Sequence, residues 1–354
     1  MFSPHPFRNI VGLDISDSKI RFFQLHSKRN KRFLLNSYGE MPVPDGHIVS
    51  GEIKNKASLV NLLKKMFKKP NFGKVDSKYV NAALPEKKTF IKIVEIPEVP
   101  ENEMKGAVKW AVEKNIPIEI EDAYYDWQII DQPKPNDGKL NVLISVAPKN
   151  LVDSFSEVIS ESGFIPINLE NESTAISRSL LGYSSNQNQP KIIIDLGRSR
   201  TTIMIYNYGA IQSASTLEIS GHEMTKLVST TLDLNYQDAE KAKIISGLDQ
   251  KKSKGIVRKV LEPIILSLIS KINENLVFYD NYVTKKSSID SIILTGSVSR
   301  MFGIDTFLQD KLKMKVSIGN PLVNVNLPKD SKQLPPNNLY SFTTAIGLAI
   351  KEIK

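Results

Sequence analysis

The sequence predicts a mixed α/β protein of two domains built alike, the first carrying a small inserted α+β unit. Three observations carry that prediction. The 354 residues exceed the roughly 250 to 300 at which one hydrophobic core stops growing, so more than one core is required. Two segments half a chain apart, residues 10–25 (IVGLDISDSKIRFFQL) and 191–206 (KIIIDLGRSRTTIMIY), share one grammar: an apolar strand carrying an aspartate, a turn of small polar residues and a second strand. Aligned on Asp14 and Asp195, Val11, Gly12 and Leu13 fall on Ile192, Ile193 and Ile194, and Phe22 and Phe23 fall on Ile203 and Met204. Between the two hairpins, strand and helix patterns interleave.

After the first hairpin, Leu59, Leu62, Leu63, Met66 and Phe67 form a helical stripe, and Lys64, Lys65, Lys68 and Lys69 form its solvated face. Residues 79–84, 89–96, 124–130 and 140–147 read as strands, the last two joined by the turn-rich PKPNDG at 133–138. Helices are expected over 101–115 and over 151–162, the latter stopped by Gly163 as a C′ glycine. These elements make the inserted α+β unit. SSNQNQP at 184–190 is a linker. Beyond the second hairpin, helices are expected at 222–232, 238–245 and 257–282. A strand at 291–294 then leads through Thr295, Gly296 and Ser297 to a helix at 304–312, and a Pro-containing stretch at 334–338 precedes a last helix at 342–352.

Composition excludes several classes. A hydrophobic share of 41% and a charged share of 24% are globular values, which rules out disorder of the whole chain. No apolar run reaches the roughly 20 residues of a membrane span, and Pro4, Pro6 and Asp14 do not fit a signal peptide, so a cytoplasmic address is expected. Cysteine is absent and His5, His26, His47 and His222 stand far apart, which removes disulfides, thiolate chemistry and a histidine-built metal centre. The net charge of +9 gathers at 28–32 (KRNKR), on the helix noted above, and at Lys251, Lys252, Lys254, Arg258 and Lys259. No interleaved aromatics accompany these clusters, so nucleic acid is not the expected partner, while attraction to an anionic membrane surface stays open. P-loop, nucleophile-elbow and HExxH motifs are missing. A tight hairpin turn offers backbone N–H groups to phosphate oxygens, and an aspartate at the strand end can hold the waters of a Mg²⁺ ion. Two such turns facing each other would clamp a nucleotide triphosphate, and two ordinary hairpins are the alternative that spacing alone leaves open.

The segments GLDISDSKIR (12–21) and IDLGRSRTT (194–202) resemble the two phosphate hairpins of the actin-like, Hsp70-like ATPase superfamily. Within it the chain is similar to the PilM family of type IV pilus assembly, relatives of the cell-division protein FtsA. LPEKKTFIKIVEIPEVPENEMKGAVKWAVEKNIPIEIEDAYYDWQII (84–130) resembles that family's inserted SHS2-like 1C subdomain. NLENESTAISRSL (168–180) resembles the helix after it, with Glu170, Glu172, Ala175 and Arg178 at the pattern positions. SGHEMTKLV (220–228) and DAEKAK (238–243) resemble the nucleoside-binding helices, LTGSVSRMFGIDTFLQDKL (294–312) the adenosine loop, and AIGLAI (345–350) the closing helix.

The resemblance implies an actin-like fold of two lobes, each with a duplicated hairpin-containing sheet. Subdomain 1A would take 1–77 and 170–188, 1C 78–169, 2A 189–216 and 287–335, 2B 217–286, and residues 336–354 would return to 1A. It places Asp14 and Asp195 at Mg²⁺ through water, and Ser16, Arg21, Gly197, Thr201, Thr202, Gly221, Glu240, Lys243, Gly296 and Ser297 around ATP, with Glu170 and Glu172 as candidate catalytic carboxylates. It implies a cytoplasmic scaffold at the inner face of the cytoplasmic membrane, at most a weak ATPase. The groove between 1A and 1C would hold the cytoplasmic N-terminal tail of a PilN-like inner-membrane protein, and contacts with other pilus assembly proteins and with itself would follow. The alternative is an active FtsA-like ATPase forming membrane-associated filaments, a branch that ends in an amphipathic membrane-targeting helix where this sequence ends in AIKEIK. Ser16, His222 and Ser297 replace family glycines, and at positive φ each Cβ would cost about 1 to 2 kcal/mol. Asp17 adds a negative charge to the first turn.

Overall fold

The computed structural model describes residues 9–28, 32–130, 138–182, 189–282, 288–325 and 339–351. The expected turn at 133–137, the linker to residue 188, the stretch 334–338, basic residues 29–31 and residue 352 lie outside them. The chain divides into two units: Met1–Asn186 with Tyr208–Ser213 and Asn320–Lys354, and Gln187–Asn207 with Ala214–Gly319.

In the first unit the strands are β1 (Val11–Ile15), β2 (Lys19–Lys28), β3 (Arg32–Pro42), the short pair β4 (Ile48–Val49) and β5 (Glu52–Ile53), β6 (Phe72–Gly73) and β7 (Tyr79–Leu84). They are followed by β8 (Phe90–Pro97), β9 (Ala123–Ile129), β10 (Lys139–Pro148) and β11 (Ile165–Asn171). Its helices are α1 (Lys56–Lys68), α2 (Glu101–Asn115), α3 (Lys149–Glu161), α4 (Glu172–Leu180) and the last helix of the chain, Thr343–Ala349. A six-stranded sheet runs β11-β7-β1-β2-β3-β6. Alternation along β1 and β2 sends Leu13, Ile15 and Phe22 to one face, where Leu59, Leu63 and Met66 of α1 and Phe155, Val158 and Ile159 of α3 cover them. Phe23 and Leu25 meet Phe342, Ala345 and Ile346 on the other face. The last helix lies so close to β1 that a Cβ on Gly12 would stand 2.1 Å from the Ala345 carbonyl oxygen. The stripe on α1 is buried as expected and its lysines face water.

A separate three-stranded sheet, β8-β10-β9, is covered by α2, with Val94, Ile96, Met104, Val108, Val142 and Ile144 in its core. The inserted piece is therefore smaller than the expected 78–169. β7 pairs in parallel with β1 and β11 in parallel with β7, so both belong to the main sheet, and α3 packs in the main core. Only β8 through β10 form the insert. The expected helical segment at 168–180 likewise begins as strand β11 and turns helical at Glu172.

A further sheet, ordered β14-β13-β12-β15-β16, is formed by β12 (Lys191–Leu196), β13 (Thr201–Asn207), β14 (Ala210–Leu217), β15 (Ser291–Thr295) and β16 (Lys315–Ile318), all in the second unit apart from the first half of β14. β12 is antiparallel to β13 and parallel to β15, which is parallel to β16. β2-β1-β7-β11 has the same order and the same senses. The duplicated actin-like α/β architecture is thus visible in the pairing itself. The helices are α5 (Gly221–Leu232), α6 (Tyr236–Ile245), α7 (Ile256–Tyr282) and α8 (Ile304–Leu312), which makes the helix at Thr343–Ala349 α9. Met224 of α5, Ala239 of α6 and Leu261, Ile265 and Leu268 of α7 share one core with Ile192, Ile194 and Ile203 of the sheet, so 217–286 has no separate core. The expected boundary at 335 also shifts. The Ser179 hydroxyl donates to Pro321 O at 2.9 Å and Asn324 Nδ2 to Leu181 O at 2.8 Å, so residues 320–325 join the first unit.

Candidate functional site

The first hairpin carries Asp14 opposite Arg21 in the β1–β2 register. Arg21 faces carboxylates of its own sheet: Nη1 lies 3.8 Å from Asp14 Oδ2 and Nε donates to Glu40 Oε2 at 3.2 Å, while the guanidinium lies 5.9 Å from the Phe342 ring centroid. Ser16 closes the turn, its hydroxyl donating to Lys19 O at 2.8 Å. Asp17 turns to the β4–β5 turn, where Oδ1 accepts from Gly51 N at 2.8 Å.

In the second hairpin Gly197 N donates to Arg200 O at 2.9 Å, and the start of α5 docks on this turn, with Gly221 N donating to Gly197 O at 3.0 Å and His222 N to Arg198 O at 2.9 Å. Thr201 and Thr202 are buried behind it. Gly296, at φ +85°, approaches Asp195 so closely that a Cβ would stand 2.4 Å from Asp195 Oδ1. Lys243 is buried, and its Nζ donates to Gly221 O (2.9 Å), Thr225 Oγ1 (2.8 Å) and Glu240 Oε2 (2.7 Å). An ammonium has three N–H bonds, so all are used inside the unit. Burial lowers the Lys243 pKa, against the opposing pull of Glu240. Ser16, His222 and Ser297 all lie outside the positive-φ region, so the strain expected at these three positions is not present. Among the described residues no group of three or more His, Cys, Asp or Glu is placed to hold a metal.

Glu170 is fixed by ion pairs. Its Oε1 accepts from Arg178 Nη1 at 2.7 Å, its Oε2 from Arg178 Nη2 at 2.9 Å and from Lys351 Nζ at 2.8 Å, and its side chain is 9% exposed. Burial acts to raise its pKa, but the charges and hydrogen bonds of Arg178 and Lys351 win and hold the carboxyl below the ordinary glutamate value. Glu172 is buried in the first turn of α4.

Glu170 also lines a cleft, a cavity of about 140 Å³ between the insert and the main sheet, bordered by Leu84, Tyr124, Asp126, Val152, Leu169 and Asn171. β9 and β11, the strands on either side, are each outermost in their sheets and present backbone groups to a visitor. A polar chain pins the floor: Ser145 Oγ donates to Asn171 Oδ1 at 2.5 Å and Asn171 Nδ2 to Thr89 Oγ1 at 2.6 Å. Glu86 caps α4, accepting from Ser173 N at 2.9 Å and Ser173 Oγ at 3.0 Å. Sequence reasoning singled out none of Glu86, Thr89, Ser145 and Asn171, and the one available signal was polar residues interrupting strand ends.

A family model described as type IV pilus assembly protein PilM matches residues 12–353. Cell division protein FtsA of Neisseria meningitidis serogroup B is 29% identical over 175 residues, 44% of this chain and 41% of that protein. FtsA of Rhizobium meliloti is 24% identical over 181 residues, 44% of this chain and 39% of that protein. The chain thus spans about two-fifths of the length of the curated relatives it matches. Among solved structures, the PilM-PilN type IV pilus biogenesis complex matches with a TM-score of 0.82 at 21% identity over 98% of both chains. MreB5 of Spiroplasma citri bound to AMPPNP matches with a TM-score of 0.55 at 13% identity, covering 97% of this chain and 95% of that one.

Proposed function

This chain belongs to the PilM family of type IV pilus assembly proteins, and on that premise we propose that it is a scaffold whose cleft beside the inserted sheet takes the cytoplasmic N-terminal tail of a PilN-like inner-membrane protein. The observation that carries the proposal is the cleft itself. It is flanked by two outermost strands, β9 and β11, and has apolar walls at Leu84, Val152 and Leu169. An extended peptide gains backbone hydrogen bonds from a sheet edge and specificity from pockets for alternate side chains. The named PilM-PilN complex supports the identity of the tail. The partner's membrane segment would hold the scaffold at the inner face of the membrane, where self-association and contacts with other assembly proteins would occur. Anisotropy titration of a labelled tail peptide tests this reading: saturable binding is expected, and none at high micromolar protein would overturn it.

A second reading, nucleotide binding, is supported by the matched MreB5 structure bound to AMPPNP, whose fold this chain shares. Gly197, Gly221, Thr201, Thr202 and Ser297 of the second unit would meet the nucleotide. Glu240 would lie beside the ribose, and Lys243 would act by holding α5 to α6. Asp195 would hold Mg²⁺ through water, and the ion would offset phosphate charge. Lys243 is held by three acceptors of its own unit and Glu170 is locked between cations, which supports weak or absent turnover. Calorimetry with ATP and Mg²⁺ should show binding that Asp195→Ala weakens, and no heat at millimolar ATP would end this reading.

A further inference from the structure

Ile245 is 61% exposed, more than any other large apolar side chain among the described residues, and it is tied to a second exposed one. Phe302 N donates to Ile244 O at 3.0 Å and Leu248 N to Phe302 O at 2.9 Å, so the end of α6 and the loop before α8 form one surface, with Phe302 46% exposed. Gly247 makes the approach possible, since at φ +49° a Cβ there would stand 2.2 Å from Phe302 O. Lys252 locks the pair: its Nζ donates to Ile245 O at 3.0 Å and lies 3.4 Å from the Phe302 ring centroid.

Lys252 belongs to a loop that displays cations. Asp249 Oδ1 accepts from Lys251 N at 2.6 Å and Lys252 N at 2.8 Å, and the Ser246 and Ser253 hydroxyls meet at 2.7 Å. Ser253 and Lys254 are held at φ +49° and +50°, a strained geometry for residues with a Cβ. Lys251, Lys254 and Lys259 are exposed, and Ile256, 48% exposed, opens α7 directly after the loop. A cleft of about 550 Å³ opens beside Leu248, bordered by Arg258, Lys311 and Lys313 with Asp310 as its carboxylate.

We propose that this surface of the second unit, with Ile245 and Phe302 beside Lys252, the exposed Lys251 and Lys254 of the same loop, and Ile256 and Lys259 at the start of α7, docks on an anionic lipid bilayer. The patch is built from the end of α6, the start of α7 and the loop before α8 rather than from an outermost strand, and the cleft beside it is bordered mostly by charged and polar side chains, unlike the apolar groove an extended peptide uses. Its few separate apolar side chains among lysines match a surface that is anionic at the headgroups and apolar just beneath. The cations meet headgroup phosphates, and the three apolar side chains enter the acyl boundary. A contact of this size is weak, reversible and salt-sensitive. The proposal stands apart from the peptide reading, which uses the other unit.

The test is co-sedimentation of the full chain with vesicles of phosphatidylglycerol mixed with phosphatidylcholine, against phosphatidylcholine alone. Binding is expected only to the anionic vesicles and falls as salt is raised. The Lys251→Glu/Lys254→Glu/Lys259→Glu variant should lose at least about tenfold in apparent affinity, since each cation near such a surface contributes separately. Ile245→Ser should lose about threefold or more through its lost apolar contact. Circular dichroism confirms folding, and all four positions are exposed. A control of equal charge change, Lys64→Glu/Lys65→Glu/Lys68→Glu on α1, should stay within about twofold of wild type if binding is local rather than a response to net charge. No sedimentation with anionic vesicles, equal binding to phosphatidylcholine, or an equal loss in the α1 control would each overturn the proposal.

Discussion

Replacing Glu170 by Gln separates a structural carboxylate from a catalytic one. The side chain is nearly enclosed, and its two oxygens accept three charge-assisted hydrogen bonds from Arg178 and Lys351. Removing one partner of a buried ion pair costs about 3 to 5 kcal/mol. The lower end applies here, because Arg178 and Lys351 are 21% and 27% exposed and can be partly rehydrated, and because the amide keeps one acceptor. The expected loss is therefore about 3 kcal/mol at pH 7, read by urea unfolding with far-UV circular dichroism. The pH dependence has a definite sign. The folded pKa of Glu170 is depressed, so its contribution is fully present above the unfolded value and is lost as pH falls through the folded value. The gap between wild type and variant should close in acid. A loss under about 1 kcal/mol at pH 7, or a gap that widens in acid, would refute the reading of Glu170 as a buried structural anion.

Gly347→Ala should destabilise the first unit by about 3 kcal/mol or more, because its Cβ would stand 1.8 Å from the Ala175 carbonyl oxygen and the roughly 1 kcal/mol helix-propensity gain cannot offset that overlap; thermal unfolding reads it. Thr225→Val should cost about 1 to 3 kcal/mol, since it removes one of the three acceptors of the buried Lys243 ammonium; calorimetric unfolding reads it, and an unchanged transition would show that Lys243 needs no such partner.

What the sequence made legible was local. The two hairpins, helices α2 and α8 and the stripe of α1 follow from short-range periodicity and emerge at or near the expected residues. Strand β11 (IPINLEN) did not, although Ile165, Ile167 and Leu169 alternate with Pro166, Asn168 and Glu170, because the pattern is short and its end overlaps the helix-like segment from 168, and its place in the sheet depends on pairing with β7, 86 residues earlier between Ile165 and Tyr79. That non-local pairing is why the sequence alone does not assign β11 to the main sheet. β3 (RFLLNSYGEMP) and the four-residue β16 carry no clean period-2 signal. The positions of Arg21 and Lys243 could be aligned to a family pattern, but whether their N–H groups are free is decided by Glu40, Gly221, Thr225 and Glu240, which only the folded chain brings to them. Positive φ, expected at Ser16, His222 and Ser297, is found at other non-glycine residues, among them Ser253 and Lys254 in the loop with the exposed lysines.

The central claim, a peptide cleft between the inserted sheet and the main sheet, is tested most directly by anisotropy titration of a labelled PilN-like tail against wild type and Tyr124→Ala. Tyr124 lies on the β9 wall, is 47% exposed and touches Asp153 at 3.3 Å through its hydroxyl, so its truncation removes groove surface without opening a core. An aromatic anchor in such a groove carries at least about 1.4 kcal/mol, so the account predicts a loss of about tenfold or more with an unchanged far-UV spectrum. Equal affinity for the two proteins would contradict the account and move the partner to another surface.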